Sequence, residues 1–215
     1  MKKTEYKHPW ITSNRKYLLT QPFFELTNFK KWNDEMGVFY KRVNETKDER
    51  SFVLLMTLIV EFHLDAVIRA FFPGHKEILD NKDLTMSMKI DLLKSLKLIP
   101  DTIFNFSDLI RLIRNEFAHN IYIDKIDQLN SYTKGKKLIN KLYSYCDEYK
   151  DKIVYSNKQI DNLREKFKDI ANFANNALQE YEPSVKLLRN EMENRKFIEG
   201  IIKDNKIKVH DFGYI

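Results

Sequence analysis

The chain has 215 residues, of which 43% are hydrophobic and 32% are charged, but it contains only five glycines and five prolines. All-β folds consume glycine and proline in their many tight turns, so this composition disfavours them and indicates long amphipathic helices. The formal charge of +6 is compatible with a nucleic-acid partner but does not require one, because 31 acidic residues are interspersed with the 37 basic ones.

The first half of the chain predicts an N-terminal arm followed by three helices. Residues 1–22 are mixed in character and predict an arm that packs on the body or frays. Residues 23–43 and about 48–72 carry apolar side chains at helical spacing. The second of these segments is apolar over most of its circumference, which is typical of a central helix. Asp83 or Thr85 is expected to cap a third helix, which a proline then stops.

The second half of the chain predicts three further helices. The first spans about residues 104–120, and its apolar stripe consists of Phe106, Ile110, Ile113 and Phe117. Residues 121–127 are ambiguous, and residues 133–150 are predicted to be helical. Residues 157–182 carry a heptad-like seam, which favours an intramolecular bundle helix over a partner-binding coiled coil. Pro183 is expected to kink or restart that helix, which then continues.

These elements predict an all-α protein, an antiparallel bundle of five to seven helices. We divide it into the N-terminal arm (1–22), a helical core (23–150) and a C-terminal helical extension packed on the core (151–215).

The sequence also predicts a compartment. A single cysteine, Cys146, excludes an intramolecular disulfide and fits a reducing environment. The first ten residues have no apolar stretch after their charges, which argues against a signal peptide. The strongest apolar run, residues 52–60, is too short to span a membrane and predicts a buried helix. We therefore expect a cytoplasmic protein with no membrane partner.

The fourth predicted helix carries a polar strip beside its apolar stripe. Asn115 and His119 are four residues apart and therefore neighbours on one face. Arg114 lies about 140° around the axis from His119, but its long side chain can swing toward that face. Asp108 and Arg111 extend the same polar side.

These residue types suit metal-independent cleavage of RNA. The reaction uses the neighbouring 2′-hydroxyl as nucleophile, so one group must take its proton and another must protonate the leaving 5′-oxygen. Histidine is suited to both roles because it titrates near neutral pH. A guanidinium offers charge-assisted hydrogen bonds to the negative transition state. One such pair is a thin active site, whereas two pairs across a two-fold axis make a fuller one.

A purely structural interpretation of the same residues stays open. His119 and Asn120 can form the C-terminal cap of an ordinary amphipathic helix, where the helix dipole favours a protonated histidine. The densest basic cluster, residues 134–137, is more typical of a solvated turn than of a phosphate site, because no strand or Walker pattern surrounds it.

The central helix contains two acidic residues, Glu61 and Asp65, four positions apart. Buried acids are costly unless they are paired, so these two either hold Arg114, pair with Arg69 or reach solvent. His63 lies between them but points about 160° to 200° away on a helix, which spoils a shared metal site. We expect neither a metal nor a cofactor.

The segment 109–120 contains the hexapeptide RNEFAH at positions 114–119, which resembles the signature of the HEPN superfamily. More narrowly, Asp48-Glu49-Arg50 before an apolar helix with acidic residues, followed by the RN-x-x-AH helix, resembles the mannitol operon repressor-like branch. The resemblance covers about residues 45–125.

The resemblance implies a helical bundle that dimerises through its motif helices and acts as a metal-independent ribonuclease. Carried over, Arg114 and His119 would be the catalytic pair and Asn115 their polar companion. Glu61 would support the motif from the preceding core helix, and Arg111 would extend its polar side. The implied partners are RNA, a second copy of the chain, and an antitoxin or defence partner protein in a toxin–antitoxin or antiphage system.

Two rival functions follow from the same residues. Some mannitol operon repressor-like relatives are not known as nucleases, so the resemblance also allows a non-catalytic regulatory or protein-interaction module. A sequence-specific DNA repressor is poorly supported, because no stretch predicts two short helices joined by a tight turn with a basic second helix.

Overall fold

The computed structural model describes residues 37–72, 84–149 and 162–204, and within them every regular element is a helix. We number the helices α1 (described over 37–45), α2 (Glu49–Phe71), α3 (Met86–Ser95), α4 (Asp101–His119), a 3-10 helix (Ile126–Ser131), α5 (Thr133–Glu148) and α6 (Leu163–Asp204). The all-α prediction is confirmed for this part of the chain. The arm predicted over residues 1–22 lies outside the described residues.

Local sequence signals account for where α2 and α3 begin. The Asp48 carboxylate accepts a hydrogen bond of 2.8 Å from the Ser51 backbone N–H at the start of α2. Of the two caps predicted for α3, Thr85 occupies the position, and its hydroxyl accepts from the Met88 backbone N–H at 3.4 Å. Each cap satisfies one of the N–H groups that a helix start leaves without an intrahelical partner.

Helix α2 lies at the centre of the core. It packs most extensively along α6, and it also contacts α3 and α4. An edge-to-face ring contact with centroids 6.2 Å apart joins Phe52 of α2 to Phe167 of α6. In the described part of the chain, α2 alone is long and apolar enough to cross a membrane, but most of its apolar stretch is buried within the protein. Its predicted role as a buried helix is therefore confirmed, although at 23 residues α2 is longer than the run that was judged too short to span a membrane.

Helix α6 runs through Pro183 as one element, so of the kink and the restart predicted there, the restart does not occur. Proline removes one backbone hydrogen bond from a helix. Leu178 and Val185, on either side of it, are both fully buried. Packing on both sides of the proline offsets the lost hydrogen bond and keeps the helix continuous.

Helix α4, which carries the RNEFAH motif and is called the motif helix below, is anchored along its predicted stripe. Phe106, Ile110, Ile113 and Phe117 are all fully buried. The Phe106 ring lies 5.1 Å from Tyr145 of α5 and 5.6 Å from Phe173 of α6, measured between centroids. Because the stripe faces the core, the polar strip of the motif helix must face outward.

Candidate active site

The structure places Arg114, Asn115 and His119 on the outer side of the motif helix. Arg114 and Asn115 are half-buried, and Arg114 Nη1 donates a hydrogen bond of 3.2 Å to Asn115 Oδ1. His119 is the last residue of the helix, and it is exposed. Among the described residues, no group hydrogen-bonds to its imidazole. Arg114 therefore contacts Asn115, its predicted polar companion, and His119, its predicted catalytic partner, lies one turn further on, open to solvent.

Arg111 has a different environment from Arg114. Its Nη2 and Nε lie 2.7 and 3.1 Å from Asp108 Oδ1, and the two side chains are only 19% and 25% exposed. The Asp108 carboxylate thus compensates the charge of Arg111. Arg114 forms no ion pair with any described residue. Of the two guanidinium groups on the polar strip, that of Arg114 is the one available to an anion, and Arg111 lies beside it as a paired neighbour.

Glu61 does not make the contact with the motif that was expected of it. Its Oε1 lies 2.8 Å from Lys89 Nζ, and Asp65 Oδ1 lies 2.9 Å from the same nitrogen. The two acids therefore join α2 to α3, and within the described residues no ion pair joins Glu61 to Arg114. Burial alone would lower the pKa of Lys89, but its contacts with Glu61 and Asp65 outweigh that effect and raise it.

Lys89 went unnoticed in the sequence, although a signal for it exists. It lies on the face of α3 that also carries the buried residues Met86, Ile90 and Leu93, and it is itself only 8% exposed. A lysine on an apolar stripe needs a carboxylate partner. The two acids of the apolar central helix answer that need, and the alternative partner Arg69 lies instead 5.7 Å from the Phe62 ring.

Arg50, in the first turn of α2, holds the end of the motif helix. Its guanidinium donates to the backbone carbonyls of Phe117 at 2.7 Å, Asn120 at 3.0 Å and Ile123 at 2.7 Å. The last carbonyls of a helix have no intrahelical partner. We call these three hydrogen bonds the Arg50 clamp. It fixes the turn that follows His119, so the backbone at the candidate site is held from the core.

The residues beside Arg50 add to the same junction. Glu49 Oε2 accepts a hydrogen bond of 2.8 Å from the Ile126 backbone N–H, at the start of the 3-10 helix. In the sequence, Asp48-Glu49-Arg50 contributes only to a resemblance, and no structural role is predicted for these three residues. In the structure, Asp48 caps α2, and the other two hold the chain that leaves the motif helix.

The basic cluster at residues 134–137 lies next to the motif helix. It forms the first turn of α5, and Lys134 makes an ion pair with Glu116 of the motif helix. Glu116 and His119 are neighbours on one face, because they are three residues apart. Lys134, Lys136 and Lys137 are all exposed. Sequence periodicity could not show that this cluster lies beside the motif.

Two other reactive side chains lie in the core. His63 is 1% exposed, and its Nε2 lies 3.1 Å from Gln179 Nε2. Burial, and to a smaller extent the charge of Arg69, lowers the pKa of His63 to about 4. Burial raises the pKa of the Cys146 thiol to about 11, so it is a poor nucleophile at neutral pH. No group of three His, Cys, Asp or Glu side chains that could hold a metal occurs in the described ranges.

The groove that the structure describes lies away from the motif. It has a volume of about 300 Å³ between α1, α2 and the start of α6, and no residue of the motif lines it. The motif helix itself presents a half-buried guanidinium and an exposed imidazole. Scans against protein-family profiles, curated proteins and solved structures each found no match to this chain.

Proposed function

We propose that this protein is a metal-independent endoribonuclease of the HEPN type that acts as a homodimer. The observation that carries the proposal is the environment of the Arg114 and His119 side chains. One face of a firmly anchored helix presents a guanidinium without a carboxylate partner among the described residues, and one turn on it presents an exposed histidine. Cleavage of a phosphodiester needs both groups, because the guanidinium stabilises the negative charge of the transition state and the imidazole transfers a proton.

The proposed chemistry is intramolecular transesterification. A histidine takes the proton of the 2′-hydroxyl, whose oxygen attacks the phosphorus, and the bond from phosphorus to the 5′-oxygen breaks as that oxygen gains a proton. The products are a 2′,3′-cyclic phosphate and a 5′-hydroxyl. Arg114 stabilises the negative charge on the equatorial oxygens, and Asn115 orients its guanidinium through their hydrogen bond.

The homodimer is proposed because the reaction needs two proton-transfer groups. A base and an acid must act on opposite sides of the phosphorus, and each chain presents one exposed histidine on its motif helix. Two copies related by a two-fold axis would bring two Arg114–His119 pairs to one cleft. The proposed bundle is antiparallel and of the HEPN type. The proposed setting is cytoplasmic, with an antitoxin or defence partner assigned only by analogy.

The test is RNA cleavage in EDTA by the wild type, Arg114→Ala and His119→Ala. Arg42→Ala is a matched control, since Arg42 is an exposed arginine of α1. We expect cleavage by the wild type and the control, with a loss of at least about 100-fold in each motif variant. Equal cleavage by all four proteins would identify a contaminant, and no cleavage by any would refute catalysis.

A second candidate is a non-catalytic regulatory or interaction module of the mannitol operon repressor-like kind. The observation that favours it is that the groove of about 300 Å³ lies between α1, α2 and the start of α6 and is lined by no residue of the motif. This candidate predicts a dimer that Arg114→Ala or His119→Ala weakens, and no cleavage of RNA by the wild type. Sedimentation measured beside the cleavage assay separates the two.

A further inference from the structure

Tyr122, in the turn directly after the motif helix, is unusual in being both exposed and firmly held. The side chains of Tyr122 and Ile121 are 77% and 73% exposed, the largest values among the big hydrophobic residues of the described chain. Single exposed hydrophobic residues are common on protein surfaces. An exposed aromatic side chain on an anchored backbone, next to the candidate site, is a candidate contact for a ligand.

The backbone on both sides of Tyr122 is anchored. The Tyr122 N–H donates to Asn120 Oδ1 at 3.0 Å, and the Ile123 N–H donates to the Asn120 carbonyl at 3.2 Å. The Arg50 clamp holds the carbonyls of Asn120 and Ile123. The Ile123 side chain is fully buried. These contacts hold the backbone from which the Tyr122 side chain projects.

The position of Tyr122 relates it to the candidate site. It follows His119 by three residues, so the two α-carbons lie within about 11 Å of each other. The exposed Lys125 follows by another three residues, and the lysines at the start of α5 lie beside the motif helix through the ion pair of Lys134 with Glu116. Exposed aromatic rings, on which bases can stack, are the usual platforms for single-stranded nucleic acid.

We propose that Tyr122 is a stacking platform for a nucleobase next to the scissile phosphate, and that it selects single-stranded RNA. The inference rests on the proposed ribonuclease function and names its substrate class. In a duplex the bases are stacked on one another and cannot reach a protruding tyrosine, whereas an unpaired base can. Tyr122 is thus a binding residue, and its phenol ring rather than its hydroxyl makes the contact.

The surroundings of the ring favour a base over a second protein chain. Asp124, Lys125 and Asp127, which follow Tyr122 in the chain, are all exposed, and the Asp124 side chain is 71% exposed. Protein interface cores are depleted in charged residues and need about 800 Å² from each partner. Two adjacent side chains ringed by charges do not supply such a core, but a single base needs no larger surface.

Binding can be measured without cleavage in a His119→Ala background. The probe is a 12-nucleotide single-stranded RNA with one 2-aminopurine, compared with the same strand in a perfect duplex. We expect fluorescence quenching with the single strand, and a Kd raised about 5- to 100-fold when Tyr122→Ala is added. Tyr122→Phe should bind as tightly as the parent. Tyr143→Ala is the control, since Tyr143 is 39% exposed on α5 and lies under Lys166.

The outcomes separate this inference from the proposed function. If the otherwise wild-type enzyme cleaves RNA in EDTA but Tyr122→Ala changes neither kcat/KM nor the Kd of the single strand, the platform is refuted and the ribonuclease stands. If quenching depends on Tyr122 but the wild type cleaves nothing, catalysis is refuted and the nucleobase site stands. If Tyr122→Ala converts a dimer into a monomer, the residue is a contact between chains and the platform is refuted.

Discussion

Replacing Arg50 by alanine should lower the free energy of unfolding by more than the loss of an exposed ion pair would. The change removes three hydrogen bonds from a charged donor to the carbonyls of Phe117, Asn120 and Ile123, at 2.7 to 3.0 Å. A hydrogen bond to a charged group contributes a net of about 1.5–3 kcal/mol. The Arg50 side chain is 26% exposed, so water reaches part of the released carbonyls. Taking about 1 kcal/mol for each bond, we expect the free energy of unfolding to fall by about 3 kcal/mol.

The assay is urea denaturation followed by circular dichroism at 222 nm, with equal slopes required so that midpoints compare directly. Arg50→Lys should lose about half as much, roughly 1.5 kcal/mol, because one ammonium group cannot span three carbonyls. Lys41→Ala is the control, since Lys41 is 75% exposed in an i, i+4 ion pair and should change stability by less than about 0.5 kcal/mol. Amide exchange at Tyr122 and Ile123 should also accelerate in Arg50→Ala. A loss no larger than that of the control would refute the clamp.

Three further predictions concern His63, Cys146 and two glycines. The pKa of His63 is about 4 in the folded chain and about 6.5 in the unfolded chain, so between these values the unfolded chain binds a proton that the folded chain does not. The free energy of unfolding should therefore be highest above pH 6.5 and fall by about 3 kcal/mol on acidification to pH 4, and this pH dependence should be weaker in His63→Gln. The Cys146 thiol should react with iodoacetamide at pH 8 at least about 10-fold more slowly in the native protein than in urea, and equal rates would contradict its burial. Gly135→Ala should lower the free energy of unfolding by about 1–3 kcal/mol, because its Cβ would lie 2.3 Å from the Leu129 carbonyl oxygen, whereas Gly37→Ala meets nothing within 4 Å and should raise it by up to about 1 kcal/mol.

Periodicity and capping chemistry determined most of the helices from the sequence. The stripe of the motif helix is buried as its spacing predicted, and Thr85, one of the two caps expected for α3, occupies the cap position. These features depend on residues within one or two turns of each other, so the sequence contains all the information they need. The contact of Arg114 with Asn115 is of the same local kind.

Long-range partners depended on how the helices pack. Arg50 reaches carbonyls 67 to 73 residues away, and Glu61 binds Lys89 on a neighbouring helix rather than the motif. Pro183 was expected to kink the helix or restart it, and burial on both sides of the proline keeps α6 one continuous element. Side-chain contacts between helices are set by their relative positions, which no spacing along one helix encodes. The residues that make up the candidate site could therefore be read from the motif, but the way the core holds them in place could not.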